Sequence, residues 1–213
     1  MRGGWNPYAP GDGKSMSPAA GTMRGEEGMK MAVVALGSNV RGRWGAPPEM
    51  LAGAVRRLGE AGIVEAVSGL WRSAPFGPVA QPSFLNAVAL VRTDLSPHAL
   101  MRHLVRLENE AGRRRGRSWG PRALDLDLLD HGGRVLAPAG TGRPSGVLGL
   151  HHLQRRGLVL PHPAIASRPF VLLPLAEAAP EWRHPLGGWT AAQALARMPG
   201  RIRSQCHRIG AIT

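Results

Sequence analysis

Residues 124–129 read LDLDLL, and leucine and aspartate alternate strictly through the first five positions. Because successive side chains of a β-strand point to opposite faces of a sheet, this pattern predicts a strand with leucines on one face and aspartates on the other. The acidic face carries Asp125 and Asp127, two residues apart. The stretch therefore predicts both a sheet strand and a pair of neighbouring carboxylates.

The segments before this strand complete a small α+β domain. Three apolar runs typical of strands lie at residues 31–36, 63–73 and 84–93. Apolar residues recur at helical spacing over residues 47–58, where two prolines fit the first turn, and again from Pro97 to about Gly112. The order strand–helix–strand–strand–helix–strand is that of the ferredoxin-like fold, a sheet with both helices on one face.

Residues 31–185 are predicted to form a single domain, since 213 residues leave little room for two full cores. Residues 1–30 are rich in Gly, Pro, Ser and Met without a hydrophobic period, so we expect a disordered tail. Residues 137–153 are aperiodic and rich in Pro and Gly, which predicts an exposed insertion. Beyond the domain, residues 186–213 are expected to form an extension with one short helix at 190–198.

The composition indicates in which cellular setting the protein is expected and which ligands its charge favours. No apolar run approaches the roughly 20 residues of a membrane helix, and the N-terminus has no apolar signal region. Cys206 is the only cysteine, so a disulfide framework is excluded and a reduced, cytoplasmic setting is expected. The formal charge of +13 favours anionic ligands such as nucleotides, nucleic acid or acidic lipid. Arginine usage in a GC-rich genome would give the same excess.

The carboxylates of Asp125 and Asp127 suit Mg²⁺, which takes one or two protein carboxylates together with substrate phosphates. Taken alone, such a pair is more often solvated on an exposed face. Several arginines precede it on or beside a glycine-containing loop. They are Arg113, Arg114, Arg115, Arg117 and Arg122. Metal-binding carboxylates beside guanidinium groups are typical of phosphoryl transfer, and this favours a nucleotide-dependent enzyme.

Other side chains near these segments are candidates with two interpretations each. Trp119 either holds its loop by packing or contacts a ligand. His162 lies between two prolines and can contact an anion, as can the nearby Arg168, although a surface histidine often has no function. Asn86 on an apolar strand must satisfy its amide and can bind the edge of a heterocycle. Phe84, on the same face, either stacks on a ring or belongs to the core.

Four segments together resemble one family. They are LGSN (36–39), SAPFGPVAQPSFLNAV (73–88), GRRRGRSWGPRALDLDLL (112–129) and LPHPAIASRPFVLLPLAEAAP (160–180). In this order they are similar to 6-hydroxymethyl-7,8-dihydropterin pyrophosphokinase, an enzyme of folate biosynthesis. The resemblance extends from about residue 31 to residue 185, without the insertion.

The resemblance implies a ferredoxin-like fold and transfer of the β,γ-pyrophosphoryl group of ATP to the hydroxymethyl oxygen of the pterin, with release of AMP. It implies two Mg²⁺ ions held by Asp125 and Asp127. ATP and hydroxymethyldihydropterin are the expected partners, and no nucleic acid, membrane or obligate protein partner is expected.

The resemblance also assigns roles to single residues. The arginines expected at the phosphates are Arg113 and Arg122. The residues expected to contact ATP are Glu108, Trp119, His162 and Arg168. The residues expected to form the pterin pocket are Ala74, Pro75, Phe76, Phe84, Asn86 and Phe170.

An RNA-binding protein of ferredoxin-like fold is the alternative, because the chain is basic. Such a protein needs aromatic side chains on its central strands for base stacking. Aromatic residues make up only 5% of the sequence, and no segment resembles the RNP1 motif. The paired aspartates would also repel RNA phosphates in the absence of a metal ion. The enzyme is therefore the favoured prediction.

Overall fold

One antiparallel sheet organises the chain. The computed structural model describes residues 28–75, 79–113, 120–136 and 157–212, so the expected insertion and nearly all of the expected tail lie outside the described residues. The strands are β1 (Lys30–Ser38), β2 (Ile63–Val67), β3 (Leu70–Ser73), β4 (Phe84–Thr93), β5 (Asp125–His131) and β6 (Cys206–Gly210). The helices are α1 (Pro47–Leu58), α2 (Pro97–Glu110), α3 (Pro169–Ala178), α4 (Ala191–Arg197) and α5 (Gly200–Arg203).

The strand order in the described part of the chain is β5-β1-β4-β3-β6, with β2 also paired to β4. Neighbouring strands are antiparallel throughout. The central pair, β1 with β4, stays in register from Lys30 opposite Thr93 to Ser38 opposite Leu85. With β2 and β3 taken as one edge of β4, this is the ferredoxin-like order, and the predicted α+β fold is confirmed.

The single strand predicted over residues 63–73 is wrong, because the structure divides it into β2 and β3. Ser68 lies at the break. Its backbone N–H donates to Val88 O at 2.9 Å, and its hydroxyl accepts from Val88 N at 3.0 Å. The side chain thus replaces one hydrogen bond of the ladder where the edge bends, and a local substitution of this kind leaves no trace in the apolar pattern.

The sheet is covered on both faces. On the first face, α1 packs against β1 and β4, and α2 packs against β5. Both helices belong to one core cluster, so the predicted placement of both helices on one face is confirmed. Large side chains fully buried on this face include Leu36, Leu51, Leu58, Leu100, Leu104, Leu107, Leu126 and Leu128. On the second face, α3 and α4 cover part of the sheet. Its buried apolar side chains include Val33, Ala35, Val88, Val171, Leu172, Leu175 and Leu195. Each fully buried leucine contributes about 1.5–3 kcal/mol of transfer free energy.

Local capping explains where the helices begin. The Ser96 hydroxyl accepts a hydrogen bond from Ala99 N at the start of α2, where a proline occupies the first turn. Thr190 and Gln193 form a reciprocal capping box at the start of α4. The helix expected over residues 190–198 spans Ala191–Arg197. None of the helices in the described ranges has the length and apolarity needed to cross a membrane.

The chain after residue 185 contributes to the sheet itself. Besides α4 it contains α5 and β6, and β6 pairs with β3 at the sheet edge. Sequence reasoning named only a helix there. In β6 only Cys206 is buried, so the strand has no alternation of apolar and polar residues to reveal it. Its position is determined by pairing with a strand more than 130 residues earlier.

His184 follows α3 and lies in an aromatic cluster on the second face. Its ring stacks on Trp189 with centroids 4.3 Å apart, and the residue is 1% exposed. Nδ1 accepts hydrogen bonds from Leu186 N at 3.3 Å and Gly187 N at 3.1 Å. Burial lowers the pKa of His184 to about 4. Protonating Nδ1 would also remove an acceptor used by two backbone N–H groups.

Replacing His184 by Asn should make stability less dependent on pH. The folded state favours neutral His184, whereas the unfolded chain protonates it near pH 6.5, so its contribution is present above pH 6.5 and is lost as pH falls toward 4. Between pH 7 and pH 5 the wild type should lose about 2 kcal/mol of unfolding free energy more than His184→Asn. Denaturant unfolding at the two pH values measures the difference. The matched control is His98→Asn at an exposed position of α2. If His184→Asn loses as much unfolding free energy between pH 7 and pH 5 as the wild type, His184 is not the source of this pH dependence.

Candidate active site

The two aspartates of β5 lie side by side on the second face of the sheet. In the pairing with β1, Asp125 is opposite Gly37 and Asp127 is opposite Ala35, while Leu126 between them points into the first core. The predicted alternation is confirmed. The helices that cover the second face leave these positions accessible, since the side chains of Asp125 and Asp127 are 24% and 12% exposed.

An arginine contacts each carboxylate. Arg122 Nη1 donates to Asp125 Oδ1 at 2.8 Å, and Arg168 Nη1 donates to Asp127 Oδ2 at 3.3 Å. A third arginine, Arg113, has Nη1 3.8 Å from Asp125 Oδ1. The structure therefore brings together three predicted phosphate-binding arginines and both predicted metal ligands, although they come from three separate segments of the chain.

His162 is part of the same cluster and is not a surface residue, because only 4% of it is exposed. Its backbone N–H donates to Leu129 O at 2.8 Å, which anchors the Pro-His-Pro segment to β5. Nδ1 accepts from Ala164 N at 3.3 Å, so the ring proton of the neutral form lies on Nε2. That atom is 3.8 Å from Asp127 Oδ2. The histidine is thus held with a donor directed at the carboxylate pair.

Glu108 anchors the end of α2 to β5. It is 2% exposed, and its Oε1 accepts from Leu126 N at 2.9 Å. Its Oε2 accepts from Arg113 Nη1. Burial first, and then the negative charge of Asp125, raise the pKa of Glu108 to about 8. The contacts of this carboxyl group are to the protein, and they place the Arg113 guanidinium beside Asp125.

Cross-strand pairing through β1 brings Asn86 close to the aspartates. Asn86 of β4 is opposite Gly37 of β1, which is in turn opposite Asp125. The amide of Asn86 donates from Nδ2 to Ser73 Oγ at 3.0 Å and to Trp71 O at 3.2 Å. A Cβ placed on Gly37 would lie 3.8 Å from both Asn86 Oδ1 and Asp125 Cβ. Glycine at this position leaves the space between the amide and the carboxylate open.

The two aromatic residues expected at the pterin, Phe84 and Phe170, are both half-buried. Phe84 shares a face of β4 with Asn86, and Phe170 lies in the first turn of α3. The guanidinium carbon of Arg168 is 5.5 Å from the centroid of the Phe170 ring. Arg168 therefore lies next to both the Phe170 ring and Asp127.

The roles of all these residues stay predictions, and the structure says less about the other expected ones. Ala74 and Pro75 directly follow β3, where Ala74 is exposed and Pro75 half-buried. Phe76 and Trp119 lie outside the described residues, as do Arg114, Arg115 and Arg117. Within the described ranges, no group of three or more His, Cys, Asp or Glu side chains is arranged to hold a metal ion. Any metal at the aspartate pair would need further ligands from substrate or water.

Comparisons with known proteins identify the family. The family model described as 7,8-dihydro-6-hydroxymethylpterin-pyrophosphokinase (HPPK) matches residues 33–180. The chain belongs to the HPPK family. Two relatives named 2-amino-4-hydroxy-6-hydroxymethyldihydropteridine pyrophosphokinase are similar to it. The protein from Synechocystis is 40% identical over 77% of this chain and 74% of its own length. That from Methylorubrum extorquens is 38% identical over 80% and 94%.

Solved HPPK structures share the fold. A Plasmodium falciparum HPPK-DHPS chain with pteroate matches 85% of this chain with a TM-score of 0.63 and 15% sequence identity. This chain spans 47% of the length of that chain. The ferredoxin-like prediction is confirmed by the fold, and family membership favours an HPPK over the RNA-binding alternative.

Sequence reasoning gave two residues of the candidate site no role in it. Gly37 was noted in the LGSN segment at the end of the first strand, although a glycine ending an apolar strand is a pattern that indicates close approach of another group. Asn39 was likewise given no role. It is 4% exposed, and it contacts both the segment before β5 and the segment before β4. A polar residue that must be buried at the end of a strand could have indicated it.

Replacing Gly37 by Ala should be tolerated by the fold. The new Cβ would have contacts at 3.8 Å, an ordinary van der Waals distance. Replacing Gly42 by Ala is the contrasting variant, since its Cβ would lie 2.6 Å from the backbone oxygen of Ala111. Thermal unfolding should show a change within about 2 °C for Gly37→Ala and a clearly larger loss for Gly42→Ala. A large loss in Gly37→Ala would show that the space above Gly37 is not open.

Proposed function

We propose that this protein transfers the β,γ-pyrophosphoryl group of ATP to 6-hydroxymethyl-7,8-dihydropterin, giving the pterin diphosphate and AMP. Membership of the HPPK family supports the reaction class. The observation that carries the proposal for this chain is the neighbouring placement of two carboxylates, three arginines and the Asn86 amide on one sheet face. A triphosphate and a flat heterocycle fit these two kinds of group.

Asp125 and Asp127 fit Mg²⁺. They are two oxygen donors on one face of one strand. Mg²⁺ is commonly held by one or two carboxylates, with phosphate oxygens and water completing its octahedron. Two such ions are part of the proposal. When bound, they would supply Lewis-acid stabilisation of the charge on the phosphates.

The arginines and His162 supply the remaining positive charge and donors. Arg122 and Arg168 each donate to an aspartate, so they lie within one side-chain length of any phosphate held there. Planar guanidinium groups bind phosphate oxygens in pairs, and they keep their charge at every relevant pH. The Nε2 proton of His162 offers a further donor on the Asp127 side. These groups would neutralise the triphosphate and hold its β-phosphorus in place.

Asn86 and the two phenylalanines near it would position the acceptor substrate, the pterin. Because Nδ2 of Asn86 already donates to Ser73 and Trp71, its Oδ1 is the atom available to a pterin N–H or amino group. Phe84 and Phe170 would enclose the ring from its two faces. The hydroxymethyl oxygen would then attack the β-phosphorus. An O–P bond forms, the bond from the β-phosphorus to the α,β-bridging oxygen breaks as AMP leaves with that oxygen, and the hydroxyl proton passes to water. Alignment of the two groups supplies several kcal/mol, since the alcohol is a weak nucleophile.

Product analysis tests the proposed reaction. The protein is incubated with ATP, Mg²⁺ and hydroxymethyldihydropterin, and adenine nucleotides are separated by chromatography. The proposal requires AMP and pterin diphosphate in equal amounts, and little AMP when the pterin is omitted. Formation of ADP, or AMP release independent of pterin, would contradict it.

Asp125→Asn and Asp127→Asn should each reduce kcat by at least about a hundredfold, because each removes a charged ligand from the proposed metal site. Both variants should remain folded, since these side chains face away from the leucine core. Asp130→Asn on the same strand is the matched control. Its carboxylate accepts from Trp182 Nε1 at 3.0 Å and serves packing, so turnover should be retained. Near-normal kcat in either of the first two variants in Mg²⁺ would refute the metal assignment.

Arg122→Ala and Asn86→Ala should affect different kinetic constants. Arg122 faces charge that shifts during transfer, so its loss should fall mainly on kcat. Asn86 should contact the pterin before and during transfer, so its loss should weaken pterin binding by about 1–3 kcal/mol. Titration calorimetry with a pterin analogue and, separately, a non-hydrolysable ATP analogue distinguishes the sites. Equal weakening of both ligands by Asn86→Ala would mean that the pterin pocket lies elsewhere.

A further inference from the structure

Asn39, directly after β1, connects two segments that lead to the two halves of the site. Its Oδ1 accepts from the backbone N–H of Arg122 at 2.7 Å, and its own backbone N–H donates to Arg122 O at 3.0 Å. Its Nδ2 donates to Gln81 Oε1 and to Pro82 O, both at 3.0 Å. One buried amide thus joins the backbone at Arg122 to the residues just before Phe84.

We infer that Asn39 is a positioning residue that fixes the placement of the Arg122 guanidinium relative to the strand start carrying Phe84 and Asn86. The inference rests on the proposed function, in which those two places hold the phosphates and the pterin.

The chemistry of the amide explains why asparagine is suited to this position. The side chain must accept from a backbone N–H on one side and donate two hydrogen bonds on the other, and an amide does both with one planar group. Aspartate has the same shape and keeps the acceptor, but it cannot donate. Alanine would leave the backbone N–H of Arg122 without this acceptor in a nearly buried place.

Asn39→Asp isolates the connection. The bond from Arg122 N–H would remain, while a carboxylate oxygen would face Gln81 Oε1 and Pro82 O. Separation of these segments should misalign the reacting groups, and kcat should fall on the order of ten- to a hundredfold. Each ligand alone should bind within about threefold of the wild-type affinity, because the groups that touch it are unchanged. Steady-state kinetics and titration calorimetry with the two analogues measure the two effects.

Two further variants separate positioning from general stability. Thr93→Val removes a buried hydroxyl that donates to Ala61 O at the far end of β4, so it should lower Tm without reducing kcat. Gln81→Ala removes one of the two acceptors of Asn39 Nδ2 and should lower kcat by about threefold. It provides the same test if Asn39→Asp does not fold.

Several outcomes would overturn the inference. The first is an unchanged kcat in Asn39→Asp or, if that variant does not fold, in Gln81→Ala. The second is an equal loss of kcat in Asn39→Asp and Thr93→Val. The third is a change in Asn39→Asp that affects only the affinity for one ligand. A wild-type protein that forms no AMP with pterin would overturn the proposed function, and the inference with it. Wild-type turnover with no effect of these variants would overturn the inference alone.

Discussion

The pairing of β5 with β1 is the interaction on which the rest of the structure depends. It sets Asp125 opposite Gly37 and Asp127 opposite Ala35, and it sends Leu126 into the core between α1, α2 and the sheet. Because side chains alternate along a strand, a slip of one residue would bury the carboxylates among leucines and expose the leucines. The energy that fixes the register therefore comes from the apolar face, and the position of the acidic face follows from it.

The site is electrostatically balanced by the protein itself. Asp125 contacts Arg122, and Asp127 contacts Arg168, so each carboxylate has a positive partner before any ligand arrives. The negative charge of Glu108 is less well compensated, since burial and the charge of Asp125 raise the pKa of its carboxyl group to about 8. Binding of metal and triphosphate would exchange these internal pairs for carboxylate–metal and guanidinium–phosphate contacts. Such an exchange has a modest net cost, since each charge leaves one partner of opposite sign for another.

The sequence predicts those features that depend on local periodicity. The alternation at residues 124–129 placed both aspartates on one face, and helical spacing with prolines in the first turns placed α1 and α2. Features that arise from pairing between distant segments were missed. The hydroxyl of Ser68 lies at the break between β2 and β3, β6 has no apolar alternation, and His162 is anchored to Leu129. The role of Asn39 likewise depends on two loops that meet only in the folded chain. Roles for single residues came from the resemblance and remain proposals.

The central claim is that one sheet face holds metal-bound ATP at Asp125 and Asp127 and the pterin at Asn86. A crystal structure with Mn²⁺, a non-hydrolysable ATP analogue and a pterin tests it most directly, because Mn²⁺ accepts the oxygen ligands of Mg²⁺ and scatters anomalously. The account predicts two anomalous peaks at about 2.0–2.3 Å from carboxylate oxygens of Asp125 and Asp127, with the pterin ring between Phe84 and Phe170. A peak bound to neither aspartate, or a pterin bound away from Asn86, would contradict it.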